Sequence, residues 1–320
     1  SYTRKEFLRF GAMAVSGTAF AAGFEIEGQE AAGNDDAREP DLVLLNGRVY
    51  TVEAETPLVE AFAIKGGRFI AAGSMDDVRN LVGADTDVID AEGMTVTPGF
   101  IDTHCHPSGV NELYGVDTNL RTVADIQAAL REKAMETPPG YWVSGFMFDD
   151  TKVIDGPLHR THLDVAVPDH PVNVAHRGGH TNWYNSAAFQ LAGITRDTPD
   201  PSDGRFARDA DGNLSGMVAE NARQVFSSVG RRDQLAATER RDRAREGMAH
   251  ISRLLTATGL TSVHDAGASR DKLVAYQDAF RAGELRHRAY LMVRGPFDDL
   301  RNAGISTGFG NEWLRIGGVK

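Results

Sequence analysis

The stretch from Thr95 to Pro107 reads T-V-T-P-G-F-I-D-T-H-C-H-P, and it is the most informative part of the sequence. A short apolar run bounded by proline and glycine predicts a buried strand that ends in two imidazoles. Because alternate residues of a strand point to the same face, His104 and His106 project together and Cys105 points away. Two histidines so placed can bind one divalent ion from one side. The stretch therefore predicts a metal site at the end of a strand.

The nine residues P-G-F-I-D-T-H-C-H resemble the first-strand signature of the amidohydrolase superfamily, which are metal-dependent hydrolases on a TIM-type barrel. A second stretch, residues 176–188, is similar to a D-G-H-x-x-W-V-N-S-x-A-L pattern of the branch that contains N-substituted formamide deformylase. It matches that pattern at His180, Trp183, Asn185 and Ser186 and departs from it at Gly178 and Tyr184. The resemblance extends from about Asp41 to the end of the chain.

Composition excludes some classes of partner. The chain has 320 residues with 41% hydrophobic content, enough for one large domain or two smaller ones. A formal charge of −11 argues against nucleic acid or an anionic membrane surface as the main partner. A single cysteine, Cys105, rules out an intramolecular disulfide.

The first 22 residues are similar to a twin-arginine export signal. They contain a basic start, a mildly apolar run and Ala19-Phe20-Ala21 as a cleavage site, although Lys5 stands where the second arginine is expected. Such a signal implies a periplasmic or extracellular protein without a stable membrane span. The alternative is an amphipathic first helix of a cytoplasmic protein. Residues 23–40, rich in charged residues, glycine and alanine, predict a solvated linker.

Residues 41–97 predict a small β region. Asn46-Gly47 lies between two apolar runs, which favours a β-hairpin, and Ser74 is expected to cap a short helix through Val82. This region resembles the β-sandwich that amidohydrolases build from both ends of the chain.

Residues 110–240 predict an insertion after the first barrel strand. Thr122 is expected to cap a helix, and Tyr141 to Phe148 and Val172 to Ala175 are strand-like. Arg205 to Val218 predicts a hairpin that turns at Asp211-Gly212.

The rest of residues 98–320 predicts the first half of an α/β barrel of the TIM type. Gly259 to Gly267 resembles the second barrel strand, Arg288 to Val293 the third and Trp313 to Lys320 the fourth. Alternating strands and helices indicate a parallel sheet. Four strands cannot close an eight-stranded barrel, so we expect a fragment of a longer protein, with a smaller open sheet as the alternative.

The resemblance implies a metal centre with zinc, as one or two ions. In the superfamily members that use two ions, a lysine at the end of the fourth strand reacts with carbon dioxide, and the carbamate bridges the ions. Lys320 falls at that position, so His104, His106 and Lys320 are the expected metal ligands. An ammonium cannot ligate a cation, whereas a carbamate offers anionic oxygens. The remaining ligands and the proton-shuttle aspartate are expected beyond residue 320, so no catalytic residue is assigned in this chain.

His176, His180 and Trp183 are the expected substrate-binding residues, because the two histidines follow a strand beside aromatic side chains. A structural histidine is the alternative for each, and core packing is the alternative for Trp183. His264 and Asp265 end a barrel strand, but successive residues face opposite ways, so at most one of them reaches a cavity.

These features favour a metal-dependent amidohydrolase that cleaves an amide or formamide C–N bond of a small molecule, with the 320-residue chain alone inactive. One alternative is a mononuclear aminohydrolase that deaminates a ring. Another is a truncated, non-catalytic protein or binding module. The substrate and the oligomeric state, including a homo-oligomer, stay open.

Overall fold

A computed structural model describes residues 39–232, 234–295 and 297–320. The predicted export signal and nearly all of the predicted linker lie outside the described residues. The described chain is of mixed α/β type and divides into two compact units. The first unit contains the described residues up to His106, with Ser252–Ser269 and Phe280–Lys320. The second unit contains Pro107–Ile251 and Arg270–Ala279.

The strands of the described residues are numbered in chain order. They are β1 (Leu42–Leu45), β2 (Arg48–Tyr50), β3 (Leu58–Val59), β4 (Ala61–Lys65), β5 (Arg68–Gly73), β6 (Asp87–Asp90), β7 (Thr95–Val96), β8 (Phe100–Cys105), β9 (Val116–Asp117), β10 (Val143–Phe148), β11 (Val172–His176), β12 (Thr181–Tyr184), β13 (Gly204–Arg208), β14 (Leu214–Glu220), β15 (Leu260–Ala268), β16 (Arg288–Val293) and β17 (Leu314–Val319).

The helices of the same residues are α1 (Met75–Arg79), α2 (Val110–Tyr114), α3 (Val123–Glu136), α4 (Arg160–Ala166), α5 (Ser186–Ala192), α6 (Ala237–Ala257), α7 (Arg270–Arg281) and α8 (Phe297–Asn302), and a 3₁₀ helix spans Asn221–Phe226. None of these helices combines the length and the apolar character needed to cross a membrane.

An all-parallel sheet in the first unit has the strand order β17-β16-β15-β8. One face is buried, because Val263 pairs with Ala289 and both are at most 3% exposed. The opposite face is open: Ile101, which pairs with Ser262, is 59% exposed. Parallel sheets are ordinarily covered on both faces. This sheet therefore has one face that the described residues leave uncovered.

The sheet also contains a close backbone approach. An added Cβ at Gly317 would lie 1.9 Å from the Tyr290 ring, so the ring packs directly over this glycine. The Tyr290 hydroxyl donates to the Gly317 carbonyl oxygen at 3.0 Å. Any larger residue at position 317 would force the tyrosine away, which explains the glycine in the last strand.

Two smaller sheets form the start of the first unit, with the orders β5-β4-β1-β6 and β3-β2-β7. Both neighbours of β1 belong to the first of these sheets, and both neighbours of β2 belong to the second. The hairpin predicted at Asn46-Gly47 is therefore wrong. The turn itself exists, with Asn46 at a left-handed φ of 55°, but it leads from one sheet to the other.

Hydrophobic packing explains why the chain leaves the first sheet at this turn. Alternate residues of β1 point to opposite sides, and both sides are apolar. Val43 packs with Val78 of α1, whereas Leu44 packs with Val49 and Val59 of the three-stranded sheet. Moving β2 into the second sheet therefore buries both faces of β1. A direct hairpin would leave Leu44 uncovered.

The second unit contains a six-stranded mixed sheet of order β13-β14-β12-β11-β10-β9. Helices α3 and α4 cover one face, where Ile126, Leu130 and Leu163 are completely buried. On the other face, Tyr184, Phe189 and Phe226 form a second cluster over β12, β13 and β14. On β10 and β11 this face includes the polar pair Ser144 and Asn173, which lie opposite each other.

Two local predictions in this unit are confirmed. The Thr122 hydroxyl accepts the Asp125 N–H at 3.0 Å, so Thr122 caps α3 as expected. Strands β13 and β14 pair in antiparallel fashion around Gly212, which has a φ of 78°. Left-handed φ values favour glycine, which is why Asp-Gly supports this turn.

His287 in the first unit makes stability depend on pH. It is completely buried beside Ser252, with its Nδ1 2.8 Å from the hydroxyl, and burial lowers its pKa from 6.5 to about 4. The unfolded chain therefore takes up a proton near pH 6.5, whereas the folded chain resists it until about pH 4. We expect the free energy of unfolding to fall by as much as about 3 kcal/mol between these pH values on account of this group.

Urea unfolding at several pH values between 7.5 and 4 tests this for the wild type, His287→Gln and the control His250→Gln. The control should keep the wild-type loss of stability at low pH, and His287→Gln should show a smaller loss. Equal pH dependence in all three proteins would contradict the assignment.

Candidate metal centre

Strand β8 places the two predicted imidazoles at the carboxyl end of the parallel sheet. Val263 pairs with Asp102, but Asp265 pairs with Cys105, so β8 uses three residues where β15 uses two. This bulge at the end of the strand changes the direction of the side chains that follow it. His104 is the second-last residue of β8, and His106 directly follows the strand. Both residues are exposed.

The two rings have a geometry that fits a shared ion. Their centroids are 5.5 Å apart and the ring planes cross at 86°. An imidazole nitrogen about 2.1 Å from an ion at tetrahedral angles would place two such ring centroids about 5.2 Å apart. The separation of the two ring centroids therefore matches that of two imidazoles on one ion.

The neighbours of this pair have structural partners. The Asp102 carboxylate accepts the His104 backbone N–H at 2.9 Å, which is a local turn contact. The Cys105 sulfur lies 3.7 Å from the carbonyl oxygen of His264 on β15. A Cβ at Gly267 would lie 3.4 Å from Nδ1 of His106, so this ring lies over a glycine.

Lys320 lies at the opposite edge of the same sheet. It directly follows β17, and its N–H donates to the Val293 carbonyl oxygen of β16 at 3.0 Å. Three strand spacings separate β8 from β17, which is about 14 Å in a flat sheet. An ion shared by Lys320 and the histidine pair therefore requires a sheet curved toward its open face.

His264 and Asp265 face opposite ways, as expected. Asp265 is completely buried, whereas the His264 ring contacts Tyr290 at a centroid distance of 4.9 Å. A cavity of about 420 Å³ on the first unit is lined by both rings of this contact and by Ile101. Its lining does not include the histidine pair. The cavity and the predicted metal ligands are thus separate features of the sheet.

A second group of side chains that could bind a metal ion occurs in the second unit, and it was not predicted from the sequence. Asp149, Asp150 and His176 offer ligand atoms within 4.8 Å of one another. Phe148 pairs with His176 across the parallel strands β10 and β11, so the three residues meet at one carboxyl edge. The sequence does contain a signal for this cluster: one predicted strand is followed by two aspartates and another ends in a histidine. The sequence alone does not show that these two strands are neighbours.

The hydrogen bonds of this cluster already engage both ring nitrogens of its histidine. The Gly178 N–H donates to Nδ1 of His176 at 3.0 Å, so the ring proton is on Nε2, which faces Asp150 at 3.1 Å. A histidine that ligates through Nε2 needs its proton on Nδ1. A metal ion or a substrate would therefore have to displace Asp150 and disturb the Gly178 contact.

Asp149 is also engaged. The Thr151 hydroxyl donates to it at 2.6 Å, and this hydrogen bond holds the pKa of Asp149 below its usual value. The Arg177 guanidinium lies 2.8 Å from its other oxygen. A cation at this carboxylate would compete with Arg177.

His180 has the opposite tautomer. Its Nδ1 lies 3.0 Å from one carboxylate oxygen of Glu220, so a neutral ring donates from Nδ1 and keeps Nε2 as an acceptor. Glu220 has an unusual backbone for a residue with a side chain, at φ 52° and ψ −135°. The predicted contact of His180 with a substrate stays a prediction, and the neutral ring offers an acceptor for it.

The structure places Trp183 in the core of the second unit, which was the alternative named for it. It is 8% exposed, and its ring meets Phe148 edge-on at a centroid distance of 4.8 Å. The His176 ring is 6.1 Å away, so these two predicted residues are neighbours. His180 contacts Glu220 instead.

Asn185 and Ser186 of the same motif hold helices in place. Asn185 is completely buried and accepts the N–H groups of Val172 and Ala188 at 2.9 and 3.0 Å. The Ser186 hydroxyl donates to Asp164 at 2.8 Å. The motif residues thus connect α4, α5 and β11.

Comparison with known proteins agrees with this picture. A sequence model of the amidohydrolase family matches residues 87–320. The chain is 32% identical to N-substituted formamide deformylase of Arthrobacter pascens over 77% of this chain and 46% of that protein. It is 29% identical to the exoenzymes regulatory protein AepA of Pectobacterium carotovorum subsp. carotovorum over 72% of this chain and 50% of that protein. The chain spans about half the length of these curated relatives.

A solved structure shows the same fold. It is an uncharacterised metal-dependent hydrolase from Pyrococcus furiosus, with a TM-score of 0.57 and 22% identity. The alignment covers 87% of this chain and 55% of that one.

Proposed function

Because this chain belongs to the amidohydrolase family, we propose that it is part of a metal-dependent hydrolase that cleaves an amide or formamide C–N bond of a small molecule. The observation that carries the proposal is the proximity of the His104 and His106 rings, whose centroids are 5.5 Å apart, at the carboxyl end of β8. This is the end of a parallel sheet at which ligands and catalytic groups collect.

The four-stranded parallel sheet is, in this proposal, the first half of a barrel. Its open face, with Ile101 59% exposed, is the face that four further strands would cover. The relatives of about twice this length have room for them. Residues 98–320 then contain the half-barrel with the 110–240 insertion, and residues 41–97 contribute to the small β region. Export directed by residues 1–22 belongs to the same proposal.

Each predicted ligand has a defined part. His104 and His106 bind the ion through ring nitrogens, and zinc is the ion we propose. When bound, such an ion supplies Lewis acidity toward a carbonyl and lowers the pKa of a water molecule. The neutral Nζ of Lys320 forms a C–N bond to carbon dioxide, one C=O π bond becomes an anionic oxygen, and the amine proton passes to solvent. The resulting carbamate offers oxygen ligands that an ammonium does not.

Hydrolysis of N-formyl amines tests the function. The chain of residues 1–320 and the protein continued beyond Lys320 are assayed with zinc and bicarbonate, and a dipeptide panel serves as the control for peptide bonds. We expect turnover of an N-formyl amine by the longer protein and none by residues 1–320. Failure of the zinc-loaded longer protein to cleave any amide of the panel would contradict the proposal, and equal rates for both proteins would contradict the half-barrel.

A further inference from the structure

A polar cavity of about 340 Å³ lies in the second unit, on the part of the six-stranded sheet that the aromatic cluster leaves open. Its apolar lining consists of Trp142, Tyr184 and Phe226. Tyr184 stacks on Phe226 with ring centroids 3.8 Å apart and planes at 11°. The remaining wall is polar, and in the part of it between Arg223 and Asn173 the hydrogen bonds all run in the same direction.

This chain of hydrogen bonds starts at Arg223, because a guanidinium can only donate. Its Nη1 donates to Oδ1 of Asn182 at 3.2 Å, and Asn182 is 8% exposed. This contact fixes the orientation of the Asn182 amide, whose Nδ2 then donates to Oδ1 of Asn173 at 2.7 Å. Asn173 therefore accepts with its oxygen and has its own Nδ2 left to donate. Among the described residues, no acceptor contacts that Nδ2.

Two hydroxyl groups of the lining can also donate a hydrogen bond into the cavity. Nδ2 of Asn182 also faces the Tyr184 oxygen at 3.4 Å, so that oxygen accepts and its proton is left to donate. Ser144 pairs with Asn173 across β10 and β11 and lines the same cavity with an exposed side chain. The cavity thus presents donors from an amide, a phenol and a serine hydroxyl beside a guanidinium.

The charges of the lining favour an anion. Arg223 and Arg232 are the cations, and the Arg232 guanidinium lies 4.8 Å above the Trp142 ring. Among the described lining residues Glu220 is the one carboxylate, and its oxygens are 3.0 and 3.1 Å from Nδ1 of His180. Two guanidinium groups therefore outweigh a carboxylate that already accepts from a histidine.

We propose that this cavity is a binding site for a small carboxylate with an aryl or alkyl group. A carboxylate only accepts hydrogen bonds, which complements a wall that offers donors. The aromatic lining is suited to the apolar group, and the volume is within the range of small-molecule sites. The site depends only on residues of the second unit and stands apart from the proposed hydrolysis.

The substitution Asn173→Asp tests the site with almost no change of shape. The new carboxylate would still accept from Asn182, but its second oxygen would replace the amide donor that faces the cavity. Phenylacetate is the probe, and 2-phenylacetamide is the neutral probe of the same shape. We expect phenylacetate to bind the wild-type chain at least about tenfold more tightly than the amide, and Asn173→Asp to lose at least about tenfold of its affinity for phenylacetate. Arg223→Gln should lose a similar factor, and the control Asn302→Asp should lose none.

Titration calorimetry gives the affinities, and near-ultraviolet circular dichroism shows that each variant is folded. Should Asn173→Asp fail to fold, the Arg223→Gln result decides alone. Absence of saturable phenylacetate binding to the wild-type chain would overturn the proposal. Binding that Asn173→Asp or Arg223→Gln leaves unchanged would also overturn it.

Discussion

Replacing both His104 and His106 with alanine should abolish zinc uptake at the proposed centre while the chain still folds. In our proposal the two imidazoles at the end of β8 supply the ring nitrogens for the ion, and both residues are exposed, so their removal leaves no cavity in the core. Metal content after dialysis, measured by mass spectrometry, should fall from about one ion or more per chain to background. The free energy of unfolding of the metal-free protein should change by no more than about 1 kcal/mol.

The rival cluster provides the matched control. Asp150→Asn combined with His176→Gln disables the second group of ligand types, whose hydrogen bonds already occupy both nitrogens of the histidine ring. This double variant should keep the zinc content of the wild type. If this variant lost its zinc and the His104→Ala/His106→Ala variant kept it, the metal site would be in the second unit instead.

Replacing Lys320 with alanine should reduce the rate of hydrolysis by the longer protein by at least about a hundredfold. Mutation of residues that only hydrogen-bond to a metal ligand already lowers metal affinity or activity about 10–100-fold. In our proposal the carbamate of Lys320 would supply oxygen ligands to the metal centre, so the variant should also bind fewer ions per chain. Lys133→Ala is the control, since Lys133 is a partly exposed residue of α3 in the second unit. Metal stoichiometry and initial rates, both measured with bicarbonate, provide the readout.

The prediction for Lys320 requires a strongly curved sheet. Two strands lie between β17 and β8, and the carbamate reaches the histidine pair only in a curved sheet. A longer protein whose activity does not depend on Lys320 would remove the carbamate. It would then favour the mononuclear aminohydrolase as the alternative reaction.

Local signals predicted much of the fold. The cap at Thr122, the Asp211-Gly212 turn and the third parallel strand Arg288–Val293 lie where the sequence places them. Each depends on contacts within a few residues or on one run of apolar side chains. Such features are encoded close to where they occur in the chain.

The errors and omissions involve residues far apart in sequence. Asn46-Gly47 has the residues of a hairpin, but the apolar residues on both faces of β1 require a second sheet. The tautomer of His180 is set by Glu220, forty positions away, through the pairing of β12 with β14. Neither partner could be identified without knowing which strands are neighbours.

Anomalous diffraction at the zinc edge, on crystals of the wild-type protein grown with zinc, would locate the ion. We predict a peak about 2.0–2.2 Å from one ring nitrogen of His104 and one of His106. A peak between Asp149, Asp150 and His176, with none at the end of β8, would contradict the account.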